Sequence, residues 1–204
     1  MYNGIISVHL RILLILTILF FSSGKYTFAS EKSVIHLIQK NSDLSIFYNY
    51  LVETGLDKVL KKKLPWNWTI FAPSNKAFNE LPELVKSEIL SVEHLSKNLF
   101  MDHILAGHKT SLDVKGFTTE ITVSNKKLQI YKTNSLFVKD MIVTKEDLMA
   151  KNGVVHVINC VMFVQPSIQD DRLTPENQRD YPVTSCCMRT EKEVSAWKLN
   201  TKIN

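Results

Sequence analysis

Hydrophobic positions along the chain change their period several times, and each change marks a boundary. Ile12 to Phe21 is apolar at every position except Thr17. Across residues 33–63 the apolar side chains recur every three or four residues: Val34, Leu37 and Ile38, then Leu44, Phe47, Tyr48 and Leu51, then Leu56, Val59 and Leu60. That spacing predicts helices with one buried face, the second opened by Ser42 or Asp43 as a cap and closed by Gly55. Pro65 stops the pattern, and Trp68-Thr69-Ile70-Phe71, aromatic and β-branched, predicts a short strand. Pro73-Ser74-Asn75 predicts a turn that caps a short helix holding Ala77 and Phe78, and Pro82 opens another through Leu84, Val85 and Ile89. Ser91 to His103 is the clearest amphipathic helix, with Val92, Leu95, Leu99 and His103 at intervals of three or four.

From Gly116 onward the period is two. Ile121 and Val123, Leu128 and Ile130, and Leu136 and Val138 alternate with mostly polar neighbours, and Asn125-Lys126 predicts the hairpin turn between the first two runs. Asn152-Gly153 predicts another turn. It launches the longest expected strand, Val154 to Val164, whose nearly continuous apolar run implies cover on both faces. Glu146-Asp147, beside Lys145 and Lys151, reads as a solvated loop or helix start. Helices first and strands afterwards, with no βαβ rhythm, predict the α+β class.

Composition narrows the picture. The chain has 204 residues, 45% apolar and 22% charged, which allows one packed domain with extensions and excludes collagen-like, coiled-coil and wholly disordered classes. Residues 1–29 hold Arg11 and Lys25 and no acidic residue, and small residues at Thr27 and Ala29 follow the apolar run. This is the layout of a signal peptide, residues 1–29, cleaved after Ala29. The rival reading is an uncleaved anchor. Extended back to Ile5, the run is interrupted by Ser7, His9 and Arg11 and falls short of the roughly 20 apolar residues a span needs. Residues 31–165 form the expected domain. Residues 166–204 form a polar linker and C-terminal tail, in which Val183, Val194, Trp197 and Leu199 suffice for one docked helix.

Charge follows the same division. The formal net charge of +5 becomes +3 when Arg11 and Lys25 leave with the first 29 residues, and the tail is neutral. The domain carries the surplus, with Lys61, Lys62 and Lys63 as its dense cluster. The triplet reads as cations facing a helix C-terminus, or as a site for anionic glycans or lipids. An exported chain meets no genome, so nucleic acid drops out as a partner. The expected location is secreted or periplasmic, and no membrane span is expected in the mature chain.

Three segments resemble one family. Thr69-Ile70-Phe71-Ala72-Pro73-Ser74-Asn75-Lys76-Ala77-Phe78 resembles the first signature of fasciclin-like domains. Leu99 to Gly107, with Asp102-His103 at its centre, resembles their central tyrosine-histidine motif. Asn152-Gly153-Val154-Val155-His156-Val157-Ile158 resembles the second signature. The resemblance covers about residues 31–165. It implies a wedge of two β-sheets with helices packed around it, and a non-catalytic module for cell adhesion through cell-surface, matrix or glycan contacts. Asp102 stands where the family's tyrosine is usual. That tyrosine-histidine pair is associated with integrin binding in animal members, so the departure bears on that activity. Thr69, Phe71, Ala72, Pro73, Asn75, Phe78, Gly107, Asn152, Gly153 and His156 read as fold determinants. Asp102, His103 and the lysine triplet are the candidate binding residues, although the helical phase of His103 favours a buried ring.

Other chemistry is sparse. There is no G-x-S-x-G, H-E-x-x-H, P-loop or glycine-rich dinucleotide pattern, and neither an enzyme nor a cofactor is expected. His94, His103, His108 and His156 are the candidate zinc ligands, and no metal site is expected, because His94 leaves the face shared by Leu99 and His103. Asn67-Trp68-Thr69 is a formal N-glycosylation acceptor overlapping the first strand. Trp66 and Trp68 beside the lysines read either as an exposed patch or as core. Cys160 is expected to pair with Cys186 or Cys187 in an oxidising compartment, leaving one cysteine to link two chains; the alternative is three unpaired thiols. Two further functions stay open beside adhesion: a structural envelope or periplasmic protein acting by self-association, and, residually, a small-ligand carrier or hydrolase.

Overall fold

A computed structural model describes residues 32–164 together with 187, 190–192 and 194–195. The expected signal peptide and linker, and Cys186, Val183, Trp197 and Leu199, lie outside the described residues.

The helical period produces α1 (Val34–Lys40), a 3₁₀ turn at Ser42–Leu44, α2 (Ser45–Glu53) and α3 (Leu56–Lys61). Each break has a local cause. Ser33 caps α1 by accepting from the His36 N–H, and Asn41 accepts from the Asp43 N–H. Gly55 turns the chain between α2 and α3 with φ 71°, a left-handed value that L-residues resist. Buried Ile38, Leu44, Phe47, Leu51 and Leu60 share one core with the later helices. These are α4 (Asn75–Asn79), one turn at α5 (Glu83–Val85) that widens into a π-type turn over Lys86–Leu90, and α6 (Glu93–Met101). His103 falls just beyond α6.

The strands are β1 (Trp68–Pro73), β2 (Ile104–Ala106), β3 (Phe117–Ile121), β4 (Lys127–Lys132), β5 (Leu136–Val138), β6 (Met141–Ala150) and β7 (Gly153–Ile158). Their order is β2-β1-β7-β6-β5-β4-β3, antiparallel except for β1 beside β7. A bridge between Leu105 and Thr122, with the Val123 N–H donating to the Ile104 carbonyl at 2.8 Å, draws the two ends together. The result is a seven-stranded near-barrel with helices packed on it, within the α+β class. Every residue of β1 and β7 is buried, as the near-continuous apolar runs require. Ile70, Ala72, Val155 and Val157 face the helices. Phe71 and Ile158 face the barrel interior, with Leu128, Ile130, Leu136, Val138 and Met141.

Three expectations are corrected. β7 ends at Ile158, short of the expected Val164, and the longest strand is β6, ten residues that include Glu146-Asp147, expected as a loop or helix start. Register shifts at Val143–Lys145 and Lys145–Leu148 break its alternation, so no clean period of two survives. Glu146 and Asp147 therefore sit in a strand bulge, not a solvated loop. Finally, β3 runs in the opposite phase. Thr118 and Glu120 pair with Ile130 and Leu128 and share their inward face, while Phe117 and Ile121 point outward.

The tail returns to the domain. Cys187 bridges Met162 as an isolated antiparallel pair and forms a disulfide with Cys160, 27 residues away. Val194 is buried in the helical core.

Candidate binding surface

The first signature is a set of ties. Thr69 Oγ1 donates to the Gly107 carbonyl at 2.9 Å and accepts from the Lys109 N–H at 2.9 Å, fixing β1 to the chain leaving β2. Ser74 caps α4 through the Ala77 N–H. The Asn75 amide reaches across to the start of α2, accepting from Ile46 N–H at 3.0 Å and donating to the Ser42 carbonyl and Ser45 Oγ, each at 2.9 Å. Phe71 stacks on His156 with ring centroids 5.4 Å apart.

The second signature closes the end of the sheet at which β1 begins. Asn152 Oδ1 accepts from Val34 N–H at 2.8 Å, its Nδ2 donates to the Leu60 carbonyl at 2.9 Å, and its own carbonyl accepts from Trp68 N–H at 2.9 Å. One residue thus joins the first turn of α1 and the end of α3 through its side chain and the start of β1 through its backbone carbonyl. A Cβ on Gly153 would lie 2.1 Å from the Trp68 carbonyl oxygen, so the close approach of β7 to β1 requires glycine.

Asp102 and His103, the central motif, are both fully buried at 0% exposure. A direct surface contact by either side chain is therefore corrected to an internal role. The His103 Nδ1–H donates to the Leu99 carbonyl at 3.0 Å and Nε2 accepts from Met162 N–H at 2.9 Å. Both ring nitrogens are used, and burial holds its pKa down at about 4. Asp102 accepts from Lys126 Nζ at 2.8 Å and from the Ser124 hydroxyl. Burial pushes its carboxyl upward, against the opposing pull of Lys126. The aspartate in place of the family's tyrosine thus grips the β3–β4 turn, where Asn125 takes φ 64°. Sequence reading missed Ser124 and Lys126. The available signal was a carboxylate beside an inward-facing histidine, which needs a partner.

Ser111, Asp147 and His156 also meet, without the alignment of a hydrolase. Ser111 Oγ donates to Asp147 Oδ2 at 2.6 Å, and Asp147 N–H donates to His156 Nδ1 at 3.3 Å. The His156 Nε2–H donates to the Lys109 carbonyl at 2.8 Å. The imidazole holds two backbone segments and does not contact the serine hydroxyl, so it has no route to activate it. Among the described residues no group of three or more His, Cys, Asp or Glu side chains is placed to hold a metal ion.

Two exposed features remain. The outward faces of β3 to β6 align Phe117, Tyr131, Phe137 and Ile142 in one cross-strand row. Phe117 stacks on Tyr131 at 4.8 Å and Tyr131 on Phe137 at 5.0 Å, and Phe117 is 78% exposed. This aromatic ladder was not anticipated. It follows from the phase of β3, which the exposed Ile121 and Val123 obscured. Lys61, Lys62 and Lys63 are all exposed at the end of α3, and Lys61 bonds Asp57 at 2.8 Å.

The fasciclin-domain profile matches residues 42–164, more than half of the chain. The chain belongs to the fasciclin domain family. Similar proteins include human periostin, 25% identical over 137 residues that cover 66% of this chain and 16% of periostin. The pig transforming growth factor-beta-induced protein ig-h3 is 28% identical over 131 residues, 64% of this chain and 19% of that protein. An uncharacterized Synechocystis protein is 26% identical over 133 residues, 65% of this chain and 98% of its own length. The chain therefore spans under a fifth of the two animal relatives and nearly all of the cyanobacterial one. The solved fasciclin domain pair of the insect cell adhesion molecule fasciclin I matches with a TM-score of 0.57 at 16% identity, covering 65% of this chain and 51% of that one. This likeness concerns the fold. Among the described residues no helix is long and apolar enough to cross a membrane.

Proposed function

We propose that this fasciclin domain is an exported, non-catalytic binding module that attaches to a cell-surface or matrix protein through the outer face of β3 to β6. The observation that carries the reading is the ladder of Phe117, Tyr131, Phe137 and Ile142. Exposed aromatic rows are uncommon on solvent-facing strands, and large apolar patches mark interaction sites. The ladder is rigid, because each ring is braced by its cross-strand neighbour, so binding freezes few rotamers. A relative that is a cell adhesion molecule, and the apolar N-terminal run with its small-residue cleavage site, support the same reading. The mature chain is then extracytoplasmic, and neither a cofactor nor a metal enters its action.

The test is attachment. The mature chain, coated on a surface, retains cells or matrix proteins, and Phe117→Ser with Tyr131→Ser abolishes retention while the thermal melt stays cooperative. Equal retention by the doubly substituted chain rejects the ladder as the contact.

Self-association is the second reading. It is favoured by the position of β3 at the end of the strand order, where Leu105–Thr122 and Val123–Ile104 are its backbone links to β2 among the described residues. Edge strands of this kind template pairing with another copy. Sedimentation separates the two readings: a monomer at all concentrations removes self-association, and a dimer that dissociates on Phe117→Lys supports it. A dimer broken by reductant instead points to the remaining cysteine.

A further inference from the structure

We propose that the pole of the domain bearing Lys61, Lys62, Lys63 and Trp66 docks on an anionic lipid surface. The pole is assembled from remote parts of the sequence. Asn152 binds the Leu60 carbonyl at 2.9 Å, so the end of α3 adjoins the β6–β7 turn. In that turn the Lys151 N–H donates to the Lys32 carbonyl at 2.9 Å. Exposed Lys32 and Lys151 are thereby gathered beside the exposed triplet at residues 61–63. Asp57, buried, pairs with Lys61 at 2.8 Å, so the exposed Lys62, Lys63 and Lys151 carry the charge of the pole.

Apolar groups decide between a lipid surface and an anionic glycan. Trp66 is 46% exposed, held edge-on against buried Trp68 with centroids 6.1 Å apart, and Val59 is exposed in the last turn before the lysines. A tryptophan presented among lysines suits the headgroup boundary, where its apolar body enters and its indole N–H stays wet. Val59 is aliphatic and offers a glycan chain no hydrogen bond or ring to stack on, whereas a lipid boundary takes up both Val59 and Trp66. The ladder of Phe117, Tyr131, Phe137 and Ile142 is on the outer face of β3 to β6, formed by other residues, and the proposal does not depend on it.

The test is co-sedimentation of the chain Ser30–Asn204, which lacks the apolar run, with vesicles of 30% phosphatidylglycerol in phosphatidylcholine, against pure phosphatidylcholine and against heparin beads. The expected result is binding to the anionic vesicles alone, lost above about 0.5 M salt as surface charge is screened. Lys62→Gln with Lys63→Gln, both exposed and outside the core, weakens partition roughly 25-fold. Trp66→Ser weakens vesicle binding but leaves any heparin retention unchanged, and Phe117→Ser affects neither. Circular dichroism melts confirm folding of each variant. Failure to bind anionic vesicles, equal binding by the lysine variant, or retention on heparin without vesicle binding overturns the proposal.

Discussion

Gly153 is the position where a single methyl group is expected to do most damage. A Cβ there meets the Trp68 carbonyl oxygen at 2.1 Å, and the parallel pairing of β1 with β7 has no flexible side chain to yield. Gly153→Ala is expected to cost about 3 kcal/mol or more in urea unfolding. The buried pair is the second test. Lys126→Met leaves the Asp102 carboxylate unpaired and is expected to destabilise by roughly 3–5 kcal/mol, whereas Asp102→Asn combined with Lys126→Met costs less. Acid reports on the histidines. His103 titrates at about 4 when folded but near 6.5 when unfolded. Between those values the unfolded chain binds the proton and the folded chain does not, so the stability present above pH 6.5 is lost as the pH falls toward 4. His156, also held down by burial, adds to that loss, and Asp102, pushed up, opposes it. Comparison with His103→Gln removes the shared contributions. The natural chain is expected to lose roughly 3 kcal/mol more than the variant between pH 7 and pH 4.

At the scale of elements, the strand faces carry the predictions. Phe117 is 78% exposed, so Phe117→Ser is expected to change stability by less than about 1 kcal/mol, measured by thermal unfolding, while it removes the end of the aromatic row. The disulfide is different: Cys187→Ser removes the covalent tie beside the Met162–Cys187 bridge and is expected to cost roughly 2–4 kcal/mol, through the entropy of an open loop. Helices α1 to α6 were legible because Val34, Phe47, Leu51 and Leu99 keep a strict period and Ser33 and Ser74 cap α1 and α4 locally, although the cap expected at Ser42 or Asp43 is supplied by Asn41 to the 3₁₀ turn and α2 has none. Strand β1 and the Asn152-Gly153 turn were legible for the same reason. Strand β6 was not, since two bulges scramble its alternation. The phase of β3 was not, because Ile121 and Val123 look like core and only the pairing of Thr118 with Ile130 shows otherwise. The central motif was half legible. The helical phase of His103 indicated burial, but the partners of Asp102 lie 22 and 24 residues away on a hairpin, where no local pattern points. Asn75 and Asn152 read as turn residues, and their amides proved to be tertiary ties.

The whole molecule presents two separate surfaces on one near-barrel. The outer face of β3 to β6 offers rigid aromatic rings, and the pole at Asn152 offers lysines and Trp66. The signature residues Thr69, Asn75, His103, His156 and Gly153 hold the fold in place through internal hydrogen bonds and close backbone packing. The central claim is that attachment runs through the aromatic ladder and not through the buried central motif. Attachment of cells to surfaces coated with the natural mature chain, with Phe117→Ser/Tyr131→Ser, and with Asp102→Asn/Lys126→Met, tests this most directly, each chain first shown to be folded by its melt. The account predicts that the natural chain and the Asp102/Lys126 variant retain cells equally and that the ladder variant retains none. Retention by the ladder variant, with loss in the Asp102/Lys126 variant, would contradict it.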